Sequence, residues 1–527
     1  MPLSLPVLVT RFFTLVAMQR LYAQRSAVHL LLIAMLGLSA FAQAIDEATL
    51  DELSARYARE SFPMLIELLS IPNDANNPED IERNVLWSEK AFESRGFTTT
   101  RIETETVPLL LAERESLGAK KTVLVYLQID GQPVDETRWF QDNPYRPALK
   151  KRAQNGKWQE VITDPRSDFD DEVRVFARSA SDAKGPVAMF LAALDAMASQ
   201  GLSSNFNLKV IMDFEEELGS PQLPKAVIKN AEMLAADMLV IFDGPRHITN
   251  RPTLTFGARG IATLTLTTYG PIVPQHSGHF GNYAPNPALR LSRLLASMKD
   301  EHGRVLIPGF YDGISISKDV ETILRAVPDD EDEIRDRLQL GSVDKVGSYY
   351  QEALQYPSLN IRGMQSGWID EKVRTIVPAW ARAEIDVRLV LESDPERLIS
   401  LVRKHVEAQG FFVTDTLPDK ATRMANEKVA TFTYEYSYQS FRTDFDSEVG
   451  RWLRSALGGA FGEEPIMHRM SGGSIPISPF VTTLGVPAVT VPTVNRDNNQ
   501  HSPNENLRLG NYREGIKTMI AILAEPL

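Results

Sequence analysis

Short apolar runs of strand length recur at 123–127, 173–177, 208–214 and 238–242, with stretches of helical period between several of them. This alternation confines the region to an α/β fold with a largely parallel sheet, because parallel strands need long crossover connections and helices supply them. An amphipathic helix carrying Leu50, Leu53, Tyr57, Leu65 and Leu68 is expected ahead of the first strand. Pro186, early in the stretch 185–199, suits the first turn of a helix that sends Val187, Phe190, Leu191 and Leu194 inward.

The pattern changes near Pro252. Residues 262–268 alternate threonine with apolar residues, and 380–390 place Ala381, Ala383, Ile385, Val387 and Leu389 on one face. Such alternation marks antiparallel strands with one wet face. Helices are expected at 286–298 and at 395–408, the second announced by Ser393, Asp394, Pro395 and Glu396 and stopped by Gly410. Together these elements make an inserted α+β lid or dimerisation domain of split βαβ type. Residues 301–360, with the acidic run 329–336, read as an elaboration of that lid. The expected organisation is a leader over 1–44, a catalytic domain over 45–253 and 438–527, and the lid over 254–437 between them.

Residues 1–44 hold Arg11, Arg20 and Arg25 without an acid, then an apolar run over 27–42 ending in Ala42, Gln43 and Ala44. This is the pattern of a secretory signal peptide cleaved near Ala44, with Met18 as a second candidate start. Its apolar core is shorter than the roughly 20 residues a bilayer span needs, so cleavage and a periplasmic or secreted product are expected, without a stable membrane anchor. A net charge of −13 makes nucleic acid an unsuitable partner. With no cysteine in the chain, there is neither a disulfide framework nor a thiolate ligand, and any metal site must use carboxylates and histidine.

Glu215, Glu216 and Glu217 follow the strand-like run 208–214 directly. Open α/β sheets place ligands at the carboxyl ends of their strands, and adjacent carboxylates repel unless a cation or a proton intervenes. Four more strand ends or loops carry similar chemistry: Gln128 and Asp130, Ser181 to Gly185 around Asp182, Asp243 with Gly244, and His501 to Glu505.

In this order and spacing these positions resemble the co-catalytic zinc hydrolases that include aminoacylase, carnosinase-type dipeptidases, acetylornithine deacetylase and succinyl-diaminopimelate desuccinylase. The resemblance spans nearly all of 45–527. It is supported by Gly257 to Gly260 (Gly-Ala-Arg-Gly), His276 to Gly278, Asn286 with Pro287, Thr375 to Pro378, Asp386 to Arg388, and Gly472, Gly473, Ser474 and Pro476. It implies that Asp182 bridges two metals, that Glu217 and His501 complete one site, and that Asp243 belongs to the other. Glu216 matches the general base, His276 the oxyanion stabiliser that reaches a partner subunit's active site, and Arg388 the residue that binds the substrate's carboxylate. Thr375 and Ser474 match further substrate contacts. Glu215 is left as a supporting or solvent-facing carboxylate. The implied cofactor is Zn2+, one or two per subunit, with Mn2+ or Co2+ as alternatives.

One position departs from the pattern. The family's His-x-Asp is here Gln128, Ile129 and Asp130. An amide oxygen is a weaker donor than imidazole toward zinc, so the loss falls on the Gln128, Asp182 and Asp243 site, with Asp130 expected to orient Gln128 through its amide. Two readings remain open: a secreted metallopeptidase or amidohydrolase, with one tight metal and one weak or absent, acting on a peptide or N-acyl amino acid with a free carboxylate, and a catalytically silent peptide- or amino-acid-binding protein. A homodimer formed through the lid is expected in the first.

Overall fold

The computed structural model of the protein describes residues 45–473 and 476–527. The leader expected over 1–44 and the substrate contact expected at Ser474 lie outside those residues.

An eight-stranded, mostly parallel sheet is built from the first half of the chain together with Ile466–His468 and Ala488–Thr490. At its centre Thr122–Gln128 runs parallel to both Asn207–Asp213 and Met238–Ile241, and is buried from Val123 to Gln128. Burial on both faces is why this strand reads as a continuous apolar run rather than an alternating one. The register sets Gln128 beside Asp213 and Tyr126 beside Ile241. The three chains therefore leave the sheet together, and Gln128, Glu215 to Glu217 and Asp243 emerge along one edge.

Helix Lys184–Ser199 is buried almost all round, packed between the sheet and helix Leu509–Ala524. A side chain at Gly185 would collide with the carbonyl of Ala180, so glycine there lets the Ser179 to Asp182 loop press against the helix start. Lys184 is fully buried and donates from Nζ to the carbonyls of Leu68, at 2.9 Å, and Ile71. These lie at the C-terminal end of helix Phe62–Leu69, and full burial drives the Lys184 ammonium well below its ordinary value.

Two sequence expectations change. The single amphipathic helix is two, Glu47–Glu60 and Phe62–Leu69, with Pro63 opening the second; proline accepts no further helix on its amino side but suits a first turn. The run 173–177 is not a strand of the large sheet. Arg174–Phe176 instead pairs antiparallel with Asn506–Arg508 and Ala148–Arg152 in a separate four-stranded sheet. Periodicity gives a strand's presence but not its partner.

A five-stranded sheet has its own core, which includes Leu264, Leu266, Ala383, Ile385 and Val387. Its four long strands run Ser358–Gln365, Trp380–Leu389, Gly260–Tyr269, Val429–Tyr438, all neighbours antiparallel, with short Phe412–Thr414 added at the edge. Taken in chain order this is second, third, first, fourth, the arrangement expected of a split βαβ unit. Helices Pro287–Ala296 and Pro395–Ala408 bury Leu291, Leu294, Leu398 and Val402 in that same core. The acidic run is the short helix Glu331–Arg337, capped by Asp330. Among the described residues no helix is long and apolar enough to cross a membrane.

Candidate active site and metal centre

Pairing of Asn506–Arg508 with Arg174–Phe176 carries the 501–505 loop to the start of helix Lys184–Ser199. Glu505, fully buried, fixes the junction. Its Oε1 accepts the backbone N–H groups of Ser181 and Asp182, both at 2.9 Å, and its Oε2 accepts Ser179 N–H and Arg178 Nη1, both at 2.8 Å. Four donors on one carboxylate hold Asp182 in place. The charge-assisted pair with Arg178 offsets the cost of burying Glu505.

His501 is thereby set against the sheet edge. Its Nε2 lies 2.9 Å from Asp182 Oδ2 and 3.2 Å from Glu217 Oε2. Among the described residues, Asp182, Glu217 and His501 form the one group of three or more such side chains whose ligand atoms all lie within 4.8 Å of one another. Two carboxylate oxygens and one imidazole nitrogen are a protein donor set that suits a catalytic divalent-metal site. The electrostatics agree. Burial, then the charge of Asp182, pushes Glu217 up to about 8. The hydrogen bond to Asp182, then the charge of Glu217, raises His501 to about 9. A cluster this strained by its own negative charge suits a cation.

Glu216 precedes Glu217 in a short 3-10 turn, Glu216–Leu218, that points both toward the cluster. Burial, with the charges of Asp243 and Asp182 next, drives its carboxyl well above the ordinary range. Gln128 Nε2 donates to Glu216 Oε2 at 3.2 Å and to Asp182 Oδ1 at 3.0 Å, while Gln128 Oε1 is buried without a hydrogen-bond partner. Asp243 stands outside the three-residue group but near enough for Asp182 to help burial push it up to about 7.

Asp130 does not hold Gln128. Its Oδ2 accepts the backbone N–H of Glu217 at 2.9 Å, so it orients the Glu216 to Glu217 turn instead, and burial raises its carboxyl well above the usual range. Glu215 is buried rather than solvent-facing. Its own N–H donates to Asp213 Oδ1, and burial raises its carboxyl.

The lid residues sit on other elements. His276 is exposed in the strand Gln275–His276, which pairs with Ile376–Val377, and Thr375 accepts Ser277 N–H at 3.0 Å through its carbonyl. His276 and Thr375, far apart in sequence, are thus neighbours. Arg388 lies on the lid strand with its Nε 3.7 Å from Asp386 Oδ1. Tyr438, at the end of strand Val429–Tyr438 and two strands over from Arg388 in the same sheet, has its hydroxyl pushed up by burial and then by the charge of Glu216.

Sequence reasoning overlooked two glutamines. Gln132 donates to Glu217 Oε2 at 2.9 Å and Gln500 to Asp182 Oδ2 at 3.3 Å. Each adjoins a motif that was singled out, and that adjacency was the available signal. Beside Asp243 lies a cavity of about 560 Å³, lined also by Thr255, Gly473, Asn498 and by Gln500, the residue that donates to Asp182. Its size suits a small ligand.

A site of two carboxylates, one histidine and a neighbouring half-buried glutamate at the carboxyl edge of an α/β sheet is that of a metal-dependent hydrolase. The model of peptidase family M20/M25/M40 matches residues 124–525, and the chain belongs to that family of metallopeptidases. It is 27% identical over 424 residues to the Cys-Gly metallodipeptidase of Saccharomyces cerevisiae, covering 79% of this chain and 81% of that one. It is equally 27% identical over 424 residues to the human Beta-Ala-His dipeptidase, covering 79% of this chain and 77% of that one. Among solved structures it is similar to an M20 family metallo-carboxypeptidase from Sulfolobus solfataricus, with a TM-score of 0.71 and 27% identity over 88% of this chain and 99% of that one. Human carnosine dipeptidase 1 shares the fold, with a TM-score of 0.70 at 24% identity over 91% of this chain and 99% of that one.

Proposed function

We propose that this chain hydrolyses the peptide bond of a dipeptide with a free carboxylate, at a divalent metal held by Asp182, Glu217 and His501. The observation that carries the reading is the convergence of those three ligand atoms, next to a cavity of small-ligand size whose lining residue Gln500 donates to Asp182. The similarity to two named dipeptidases supports this substrate class over an N-acyl amino acid.

The donor set fits Zn2+, and Mn2+ or Co2+ would suit the same oxygens and nitrogen. A bound ion supplies Lewis acidity and makes water nucleophilic near neutral pH. The protein does the rest. Glu216 takes the proton that the attacking water loses and returns it to the leaving amine, a task for which a carboxyl raised by burial is suited. Asp130, through the Glu217 N–H, fixes the turn that carries both glutamates. Arg388 takes the substrate's carboxylate by bidentate, charge-assisted bonds, with Thr375 and Ser474 as further contacts. His276, exposed on the lid, serves the active site of a partner subunit in a homodimer. Residues 1–44 direct export to the periplasm or medium and leave near Ala44, which N-terminal sequencing of the mature protein would check.

The test compares a dipeptide with its C-terminal amide. The free acid should be cleaved and the amide should lose most of kcat/KM, with Arg388→Ala erasing the difference. Metal binding without cleavage of any dipeptide would contradict this reading and favour a peptide-binding protein.

A further inference from the structure

We infer that the side-chain amide of Gln128 stands where a second cation would act, so that the catalytic centre holds one metal ion per chain. This rests on the proposed reading of the site and sharpens it.

The two oxygens of Asp182 are already divided. Oδ2 faces the three-ligand group, 2.9 Å from His501 Nε2, whereas Oδ1, the oxygen a bridging carboxylate would offer to a second ion, accepts Gln128 Nε2 at 3.0 Å. The same nitrogen donates to Glu216 Oε2 at 3.2 Å. A primary amide nitrogen has two hydrogens, and these two carboxylates use both. The positive end of the amide dipole thus sits between Asp182 and Glu216, where it eases their repulsion as a cation would.

Gln128 has little freedom to do otherwise. It is 2% exposed and ends a strand paired on both sides. The opposite rotamer of its amide would set Oε1 against both carboxylate oxygens, which is repulsive unless a cation lies between them. A second ion would then have a neutral amide oxygen, the already shared Asp182, and Asp243, which lies outside the group formed by Asp182, Glu217 and His501. An amide oxygen in place of imidazole is a poor exchange for a zinc-like ion. The amide has a second consequence: it fixes the Glu216 carboxyl, so Gln128 is a positioning residue for the base.

Metal content decides the matter. The full chain is loaded with excess Zn2+, dialysed and measured by elemental mass spectrometry, together with Gln128→His checked for native circular dichroism. One ion per wild-type chain and two per Gln128→His chain are expected. Two ions in the wild type overturn the inference whether or not the variant folds, and so does one ion in a folded Gln128→His. One ion without dipeptide hydrolysis supports the single-ion centre while contradicting the proposed reaction, so the two failures are distinguishable.

Discussion

His501 Nε2 lies 2.9 Å from Asp182 Oδ2 across a sequence separation of 319 residues. Two distant loops have been brought into ligand distance by the small sheet that pairs Asn506–Arg508 with Arg174–Phe176. In the proposed site, replacing either partner removes or weakens a metal ligand. Asp182→Asn and His501→Ala should each weaken metal affinity by more than the roughly 10–100-fold that follows loss of groups that only orient ligands. Titration calorimetry with Zn2+ would measure it, and affinity unchanged by either substitution would remove that residue from the ligand set.

Glu216 is assigned to proton transfer rather than to holding the ion. Glu216→Gln should therefore lower kcat by about 10²- to 10⁴-fold while metal content and thermal stability stay close to wild type. Loss of metal from this variant would make Glu216 a ligand instead.

Glu505 makes no contact with substrate in this account, yet it accepts three backbone N–H groups and Arg178 in a fully buried setting. Glu505→Ala strands the Arg178 guanidinium and should cost about 3–5 kcal/mol, read as a lower urea midpoint. Metal affinity should fall with it, because Asp182 loses its anchor.

The pH dependence follows from two raised pKa values. Glu217, at about 8 against an ordinary 4.5, gives the metal-free protein stability that is complete below about 4.5 and is lost as pH rises through 8. His501, at about 9 against 6.5, does the same between those values. A metal needs both groups deprotonated, so its binding releases protons and strengthens as pH rises. Melting curves with and without Zn2+ should diverge progressively from pH 5 to 9, the metal-free form losing Tm and the loaded form keeping it. Parallel curves would contradict the assignment of these groups as ligands.

Much of this site was legible because its parts are local. Glu217 and Asp243 follow apolar runs closely, and a central parallel strand such as Thr122–Gln128 announces itself by being apolar from Val123 to Leu127. The lid strands Gly260–Tyr269 and Trp380–Leu389 were readable for the opposite reason, since their alternation records one buried face. What the sequence hid was partnership. Arg174–Phe176 looks like any other strand, and its place in the small sheet depends on a segment more than three hundred residues away. The same holds for Asp130, whose carboxylate meets the backbone of Glu217 rather than the adjacent Gln128, and for Glu505, which lies in the singled-out 501–505 loop but whose four donors come from residues 178–182. A local break was missed too: Pro63 divides the first amphipathic stretch, whose apolar spacing continues across the break.

The central claim is that hydrolysis depends on an ion held by Asp182, Glu217 and His501. The most direct measurement is the rate of dipeptide cleavage by chelator-stripped protein as Zn2+ is added back, with bound metal counted at each point. Activity absent without metal, rising in proportion to bound ion, and absent at every loading in Asp182→Asn is the predicted result. Cleavage by fully stripped protein, or unimpaired cleavage by Asp182→Asn, would contradict it.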